Sequence, residues 1–206
     1  GSWFVIVPER LEMRHLFPLL IVFVTACTAA KEPRSIADLA RQGPDNIAID
    51  GYSPVSYFSK GRAEKGSAEF AVQFDGLEYW LTDAEQARQF EADPERYAPA
   101  HRGWCSLMLT GSGNLAVANP QSFKIVDDRL LLFWSGDFKG QAIDGLRNWE
   151  SKFDDAAGEK ALLGKADKGW DKLLDGKKKE QVMFFNPDDL ERVNESRRAA
   201  GKKMYD

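Results

Sequence analysis

The chain of 206 residues is long enough for one domain of ordinary size with an appendage, and its composition, 43% hydrophobic and 29% charged, is typical of a globular protein. The net charge of −4 excludes a general electrostatic attraction to nucleic acid, and the basic runs "GKKKE" and "RRAAGKK" are typical of solvated helix faces. We therefore expect no nucleic-acid partner.

The N-terminal segment has the pattern of a secretory leader. Residues 1–12 precede Met13, and we interpret them as non-native or as lying upstream of the true start. After a short polar head, an apolar run over residues 16–24 has signal-peptide length and is shorter than the roughly 20 residues that cross a bilayer. The run ends in "VTAC", where Cys27 follows a small residue, and this arrangement resembles a bacterial lipobox.

Cys27 decides how the mature chain would be anchored. If the lipobox is used, residues 1–26 are removed, and acyl chains on Cys27 hold the protein on the periplasmic side of a membrane in the bacterial cell envelope. Residues 27–46 then form a lipidated tether with one short helical turn. The alternative is an ordinary secretory leader cut near "TACTAA", with Cys27 incidental. In the lipobox case Cys105 is the only thiol of the mature chain and His101 its only histidine.

Two β-hairpins are predicted between residues 47 and 134. In "EFAVQF", the apolar residues Phe70, Val72 and Phe74 occupy every second position, as in a strand. The pair "DG" then provides a turn, and "LEYWL" forms the second strand. In "SFKIVDDRLLLFWS", the pair "DD" turns a second hairpin. Two hairpins with intervening helices favour an α+β fold.

Short helices are predicted between the hairpins. "TDAEQARQFEADPERY" has Thr82 or Asp83 as its N-cap and ends before Pro94. "CSLMLT", which follows Gly103 closely, could open with the first turn of a helix. The "GSG" after it is a turn, because it lacks the third glycine of a nucleotide-binding loop.

Residues 135–206 are predicted to form a helical extension. Apolar residues recur at helical spacing along two segments, at Ile143, Leu146, Trp149 and Phe153 and at Leu163, Ala166, Trp170 and Leu173. A third helix is indicated by Asn186 as its cap, with Pro187 at the first helical position and Gly201 as its stop. The stripes with the two tryptophans either pack on the preceding domain or contact a partner protein.

Several motifs between residues 47 and 134 occur in the order and spacing of a known family. They are "IDGYSPVSYF", "KGSAEF", "FEADPERYAP", "GWC" and "IVDDRLLLF". The segment resembles the YHS-domain family, in particular the small secreted YHS proteins of bacteria. The resemblance implies a small YHS-like domain over residues 47–134, and it does not extend to the helical extension.

The resemblance also bears on the chemistry of the chain. YHS domains are related to metal-handling modules beside copper and other heavy-metal transporters, and those modules carry a cysteine pair after the second strand. Here that place reads "YWLTDAE" without cysteine, which counts against a shared metal role. The secreted branch instead has a GGYC-like motif, matched here by "RGWC". Some of its members carry selenocysteine at the position of Cys105, which suggests redox chemistry.

Cys105 and His101, four positions apart in "HRGWC", are the candidate functional residues. At a helix N-terminus a thiolate is stabilised by unpaired N–H groups, and His101 could lower the thiol pKa or act as its base. Arg102 adds positive charge nearby. The alternative is packing, because a free cysteine beside Trp104 can simply fill the core. The sequence is compatible with both a reactive and a packed Cys105.

A metal site is the third interpretation of the segment. A closed zinc site needs four ligands, so Cys105 and His101 would have to be completed by carboxylates or by a second chain. The candidate carboxylates are Asp50, Asp75 and Asp93. Copper(I) could instead be held by Cys105 with Met108, since soft sulfur ligands suit it.

The sequence favours a function without catalysis. The leading hypothesis is a membrane-anchored extracytoplasmic lipoprotein whose YHS-like domain is a binding or scaffold module, with copper and zinc as candidate cofactors. The alternative is a thiol redox protein that uses Cys105 assisted by His101. Exposure separates the two, because a scaffold buries Cys105 whereas a redox or metal site exposes it.

Overall fold

The computed structural model describes Gly1 and the ranges 36–39, 46–111, 113–185, 187–199 and 201–205. Cys27, the predicted leader beyond Gly1, most of the predicted tether and the predicted cap Asn186 lie outside the described residues. The chain divides into two compact units, Gly1–Ala30 and Lys31–Asp206, and the elements below all belong to the second. Within the described ranges, no helix is long and apolar enough to cross a bilayer.

Helices and short strands are interspersed along the second unit. The helices are α1 (Ile36–Leu39), α2 (Pro54–Lys60), α3 (Ala84–Ala92), α4 (Pro94–Tyr97), α5 (Ser106–Leu109), α6 (Gly145–Glu150), α7 (Ala156–Leu174) and α8 (Pro187–Ala199). The strands are β1 (Ser67–Phe74), β2 (Leu77–Leu81), β3 (Leu115–Ala116), β4 (Asn119–Val126), β5 (Arg129–Phe133), β6 (Ser135–Phe138), β7 (Gln141–Asp144) and β8 (Val182–Met183). A 3-10 helix, Ile49–Gly51, precedes α2.

The described strands pair two by two into small sheets. The pairs β1–β2, β4–β5 and β6–β7 are antiparallel hairpins, and β3 pairs in parallel with β8. The chain is thus a mixed α+β fold with small antiparallel sheets and several short helices, as the sequence predicted.

The two predicted hairpins form, and each turns at the residues that the sequence predicted. Asp75 and Gly76 take φ angles of 53° and 74° in the turn of β1–β2, and Asp127 and Asp128 take 48° and 59° in that of β4–β5. Such left-handed pairs match the twist of the flanking strands. Every second residue of β2 is buried, which fixes the register of the first hairpin against the core.

Helix starts follow the local sequence signals. Asp83 caps α3 by accepting a hydrogen bond from the Gln86 N–H, and Asp155 caps α7 by accepting one from the Gly158 N–H. Pro187 is the first residue of α8, as predicted. These caps fix where the apolar faces of the helices begin.

The segment after Trp134 differs from the predicted succession of helices. It begins with the hairpin β6–β7, so Ile143 lies in a strand and not on a helical stripe. Lys139 and Gly140 make the turn with φ angles of 55° and 81°. The three predicted helices follow as α6, α7 and α8, and Phe153 lies beyond the end of α6.

Two clusters of buried apolar side chains hold the second unit together. The larger one combines α2, β2, α3 and β5 with Trp149 of α6 and with Leu162 and Leu163 of α7. The smaller one packs α5 and β3 against α7 and includes Trp170. Trp149 and Trp170 are 0% and 7% exposed, so both tryptophans are covered within the chain. The described residues of 135–206 thus share a core with residues 47–134.

Candidate functional site

Cys105 lies where β3, β5 and α5 meet. Its backbone N–H donates to the carbonyl of Ala116 in β3 at 2.9 Å, and it forms a β-bridge with Leu132 of β5. Arg102 and Gly103, with φ angles of 50° and 94°, turn the chain just before it. Cys105 is the N-cap residue of α5, and it is 1% exposed.

Burial sets the protonation state of the Cys105 thiol. Burial raises the pKa of the thiol, and hydrogen bonds from backbone groups of Trp134, Met108 and Leu107 lower it only in part, so the pKa stays above its usual range. The expected stabilisation of a thiolate by helix N–H groups is therefore outweighed by lost hydration. Because the thiolate is the nucleophile, a protonated buried thiol disfavours redox chemistry at this position.

His101 has partners other than Cys105 at both ring nitrogens. Nδ1 lies 2.8 Å from Ser106 Oγ, and Nε2 lies 3.2 Å from Asp167 Oδ1. A carboxylate can only accept, so Nε2 donates to Asp167 and Nδ1 accepts from the Ser106 hydroxyl. Burial lowers the pKa of His101, although the Asp167 carboxylate acts in the opposite direction. The lowered pKa keeps the imidazole neutral. His101 is thus not placed to act as a base or a cationic modulator for Cys105.

Asp167 belongs to a polar network that was not predicted from the sequence. Arg129 donates to both of its carboxylate oxygens at 2.9 Å. Partial burial would raise the pKa of Asp167, but the hydrogen bonds from His101 and Arg129 outweigh it and hold the pKa below its usual range. One sequence signal existed, because Asp167 falls between Leu163 and Trp170 on the apolar stripe of α7, where a charge needs a partner.

Ser106, His101 and Asp167 have the connectivity of a Ser-His-Asp triad, but burial argues for a structural role. Ser106 and His101 are each 1% exposed, so a substrate does not reach the serine hydroxyl in this structure. The hydrogen bonds satisfy polar groups that would otherwise be unpaired in the core. The network therefore holds α7 against the start of α5.

Arg102 does not supply the positive charge expected beside Cys105. Its Nη2 lies 2.9 Å from a carboxylate oxygen of Asp75 and 2.9 Å from one of Glu95. The guanidinium also lies over the ring of Phe74, 5.4 Å from the centroid. Two acids thus offset the charge of Arg102 on the side of the β1–β2 hairpin.

An apolar pocket, which we call the Cys105 pocket, opens beside the predicted site. Its volume is about 210 Å³, and its lining includes Cys105, Met108, Trp134, Phe138, Ile143 and Phe185. The ring of Phe185 lies 4.4 Å from that of Trp134 and 5.5 Å from that of Phe138, so the three form an aromatic wall. Phe138 is 37% exposed and marks the rim.

Of the predicted metal ligands, Cys105 and Met108 line the same pocket, whereas His101 is held in the polar network. No group of three or more His, Cys, Asp or Glu side chains that could hold a metal ion occurs among the described residues. The candidate carboxylates bind elsewhere, Asp50 to Arg192, Asp75 to Arg102 and Asp93 to the N-terminus of α4. Among the described residues the predicted ligands thus do not assemble a four-ligand zinc site, and Cys105 and Met108 are the two that line one pocket.

The aromatic wall could not be predicted from local patterns. Phe185 follows β8, and it reaches the pocket only because β8 pairs with β3, far away in the sequence. The one local signal is "MFFNP", an apolar cluster within a polar C-terminal stretch.

A scan against protein-family models, a search of curated proteins and a search of solved structures found no match to the chain.

Proposed function

We propose that this protein is a non-enzymatic binding module of the bacterial cell envelope. In this proposal residues 47–134 are a YHS-like domain, and a lipid on Cys27 holds the chain on the periplasmic side of a membrane. The order of the motifs and the lipobox-like "VTAC" support these two parts. The Cys105 pocket is the ligand site, and its apolar, aromatic lining is the observation that carries the proposal.

The size of the Cys105 pocket indicates the kind of ligand. A volume of about 210 Å³ corresponds to roughly seven water molecules in the liquid. That space suits one aromatic ring with a short substituent, and it is smaller than the roughly 300 Å³ at which pockets for drug-sized molecules begin. The ligand is therefore one apolar group, presented by a small molecule or by a side chain.

The chemistry of Cys105 favours binding over catalysis. Its thiol is buried and protonated, and the neutral His101 is bonded to Ser106 and Asp167. A thiol redox protein would instead need an exposed thiolate near positive charge. Cys105 is one of the apolar residues that line the pocket.

A titration of the full chain with p-cresol tests this proposal. We expect saturable binding that changes the fluorescence of the chain, since Trp134 lines the pocket. Phe138→Ala should weaken binding about tenfold, because it removes one aromatic face from the rim. Met204→Ala is the matched control, because Met204 is also an exposed large apolar residue and does not line the pocket.

The outcomes of the titration separate the hypotheses. Binding that Phe138→Ala weakens and Met204→Ala leaves unchanged supports the proposal. Absence of saturable binding, or equal effects of both substitutions, contradicts it.

Copper(I) is a second candidate ligand, because Cys105 and Met108 both line the pocket. Two sulfur donors suit this soft ion, which would displace the thiol proton on binding. Competition for copper(I) against a colorimetric chelator should show one equivalent bound to a Cys27→Ser chain. Additional Cys105→Ser or Met108→Leu substitutions should each weaken it, and unchanged affinity in both would exclude this candidate.

A further inference from the structure

Four lysines surround a second pocket, which we call the lysine pocket. Lys165, Lys168 and Lys172 lie on one face of α7, because residues three, four and seven apart share a helix face. Lys178 joins them from the turn after the helix. The pocket has a volume of about 280 Å³ and lies between this face and the chain segment that follows α5.

The lysine pocket owes its shape to two glycines. A Cβ atom on Gly169 would lie 2.2 Å from the carbonyl oxygen of Leu109, so only glycine lets α7 approach α5 this closely. Gly113 has a φ angle of 66°, and the chain passes close to Lys178 there. A Cβ atom added to Gly113 would lie 3.1 Å from the Nζ of Lys178. Gly111 and Gly113 thus form one rim of the pocket.

Among the described residues, no acidic side chain forms an ion pair with the four lysines of this pocket. Other lysines of the chain do form such pairs, among them Lys60, Lys124, Lys160 and Lys177. The neighbouring acid Asp175 pairs with Lys177 at 2.6 Å. The three lysines of α7 repel one another because they lie three and four residues apart on the helix. An anion of high charge bound between them would relieve this repulsion.

We propose that the lysine pocket binds a phosphate-bearing ligand, either the headgroup of an anionic phospholipid or a soluble phosphate ester. The ammonium groups of lysines act as point charges toward phosphate oxygens, and a concave site exposes the anion to several of them at once. The net charge of the chain is −4, so this positive surface is a local feature and not a consequence of composition. The lysine pocket and the Cys105 pocket share no lining residue.

The test has two arms with the full chain. In the first, co-sedimentation compares vesicles of phosphatidylglycerol and phosphatidylcholine in about equal amounts with vesicles of phosphatidylcholine alone, which controls for insertion of the apolar leader. In the second, calorimetry measures binding of inorganic pyrophosphate. We expect binding in at least one arm, weakened by high salt because the contacts are electrostatic.

Matched charge variants locate the binding. The triple substitution Lys165→Gln, Lys168→Gln and Lys172→Gln should weaken binding about tenfold or more. Lys152→Gln, Lys179→Gln and Lys203→Gln make the same change in net charge at exposed lysines outside the pocket, and binding should be retained. Lys178→Gln alone should weaken binding severalfold without altering α7.

Each outcome has one meaning. Vesicle binding that depends on the pocket lysines assigns a lipid headgroup, and pyrophosphate binding with the same dependence assigns a soluble phosphate compound. Absence of binding in both arms, or equal losses in the two triple variants, overturns the proposal.

Discussion

At the scale of the residue, the chemistry of Cys105 and His101 is decided by lost hydration more than by neighbouring charge. Burial raises the pKa of the thiol and lowers that of the imidazole, so both groups are neutral in the core. Each has its own set of partners, with Cys105 facing the apolar pocket and His101 facing Ser106 and Asp167. Proximity in the sequence therefore does not make them a functional pair.

Alkylation of Cys105 should be slow in the folded protein. In a Cys27→Ser chain, where Cys105 is the only thiol, we expect iodoacetamide to react about 100-fold more slowly than in the unfolded chain, because the thiol is buried and its pKa is raised. Guanidinium chloride should restore the ordinary rate. Comparable rates in the folded and unfolded states would show that the thiol is accessible and would favour the redox alternative.

Stability should fall in mild acid because of His101. Its pKa in the folded state is lowered by burial, so the unfolded chain binds more protons and the free energy of unfolding decreases as the pH falls below about 6.5. The slope reaches at most about 1.4 kcal/mol per pH unit.

Denaturant titrations between pH 5 and pH 8 measure this slope. His101→Gln should be less stable at neutral pH and should lose most of the slope between about pH 5 and 6.5. An unchanged slope in this variant would show that other groups control acid stability.

At the scale of the element, Gly169 and Gly164 offer a matched pair of substitutions in α7. A Cβ on Gly169 would meet the Leu109 carbonyl oxygen at 2.2 Å, whereas nothing lies within 4 Å of one on Gly164. Gly169→Ala should therefore lower the free energy of unfolding by about 1–3 kcal/mol. Gly164→Ala should raise it by up to about 1 kcal/mol, because alanine favours the helix. Denaturation midpoints measure both, and stabilisation by both would contradict the close packing of α5 on α7.

Local signals predicted the elements that depend on neighbouring residues. The hairpins β1–β2 and β4–β5 follow from alternation and from acidic turn residues, and α3 follows from its cap Asp83. The hairpin β6–β7 was missed because its turn, Lys139 and Gly140, is a weaker signal than the apolar spacing from Ile143 onward. The pair β3–β8 has two residues per strand and joins distant parts of the chain, so no local pattern indicates it.

At the scale of the whole molecule, residues 47–134 and 135–206 should unfold together. Trp149 of α6 is fully buried, packs 5.4 Å from Phe133 of β5 and donates a hydrogen bond to Glu159 of α7. Trp149→Ala should lower the free energy of unfolding by about 3–5 kcal/mol. Circular dichroism and tryptophan fluorescence should report one transition in the unsubstituted chain. Two separate transitions would show that the C-terminal helices are an independent unit.

The candidate site shows why sequence reasoning reached only part of it. Cys105 and Met108 were identified because they are close together in one motif, and they do line one pocket. Phe185 and Asp167 were not identified, since their positions depend on how β8 and α7 pack on residues 47–134. Contacts between distant segments are fixed by the whole core, which no single stretch of sequence contains.

The most direct test of the Cys105 pocket as a ligand site is a nuclear magnetic resonance measurement of contacts between p-cresol and the full chain. The proposal predicts intermolecular nuclear Overhauser effects from the p-cresol ring to the methyl groups of Ile143 in β7 and Met108 in α5, which both line the pocket. Saturable binding with contacts only elsewhere in the chain, or no contacts at all, would contradict it.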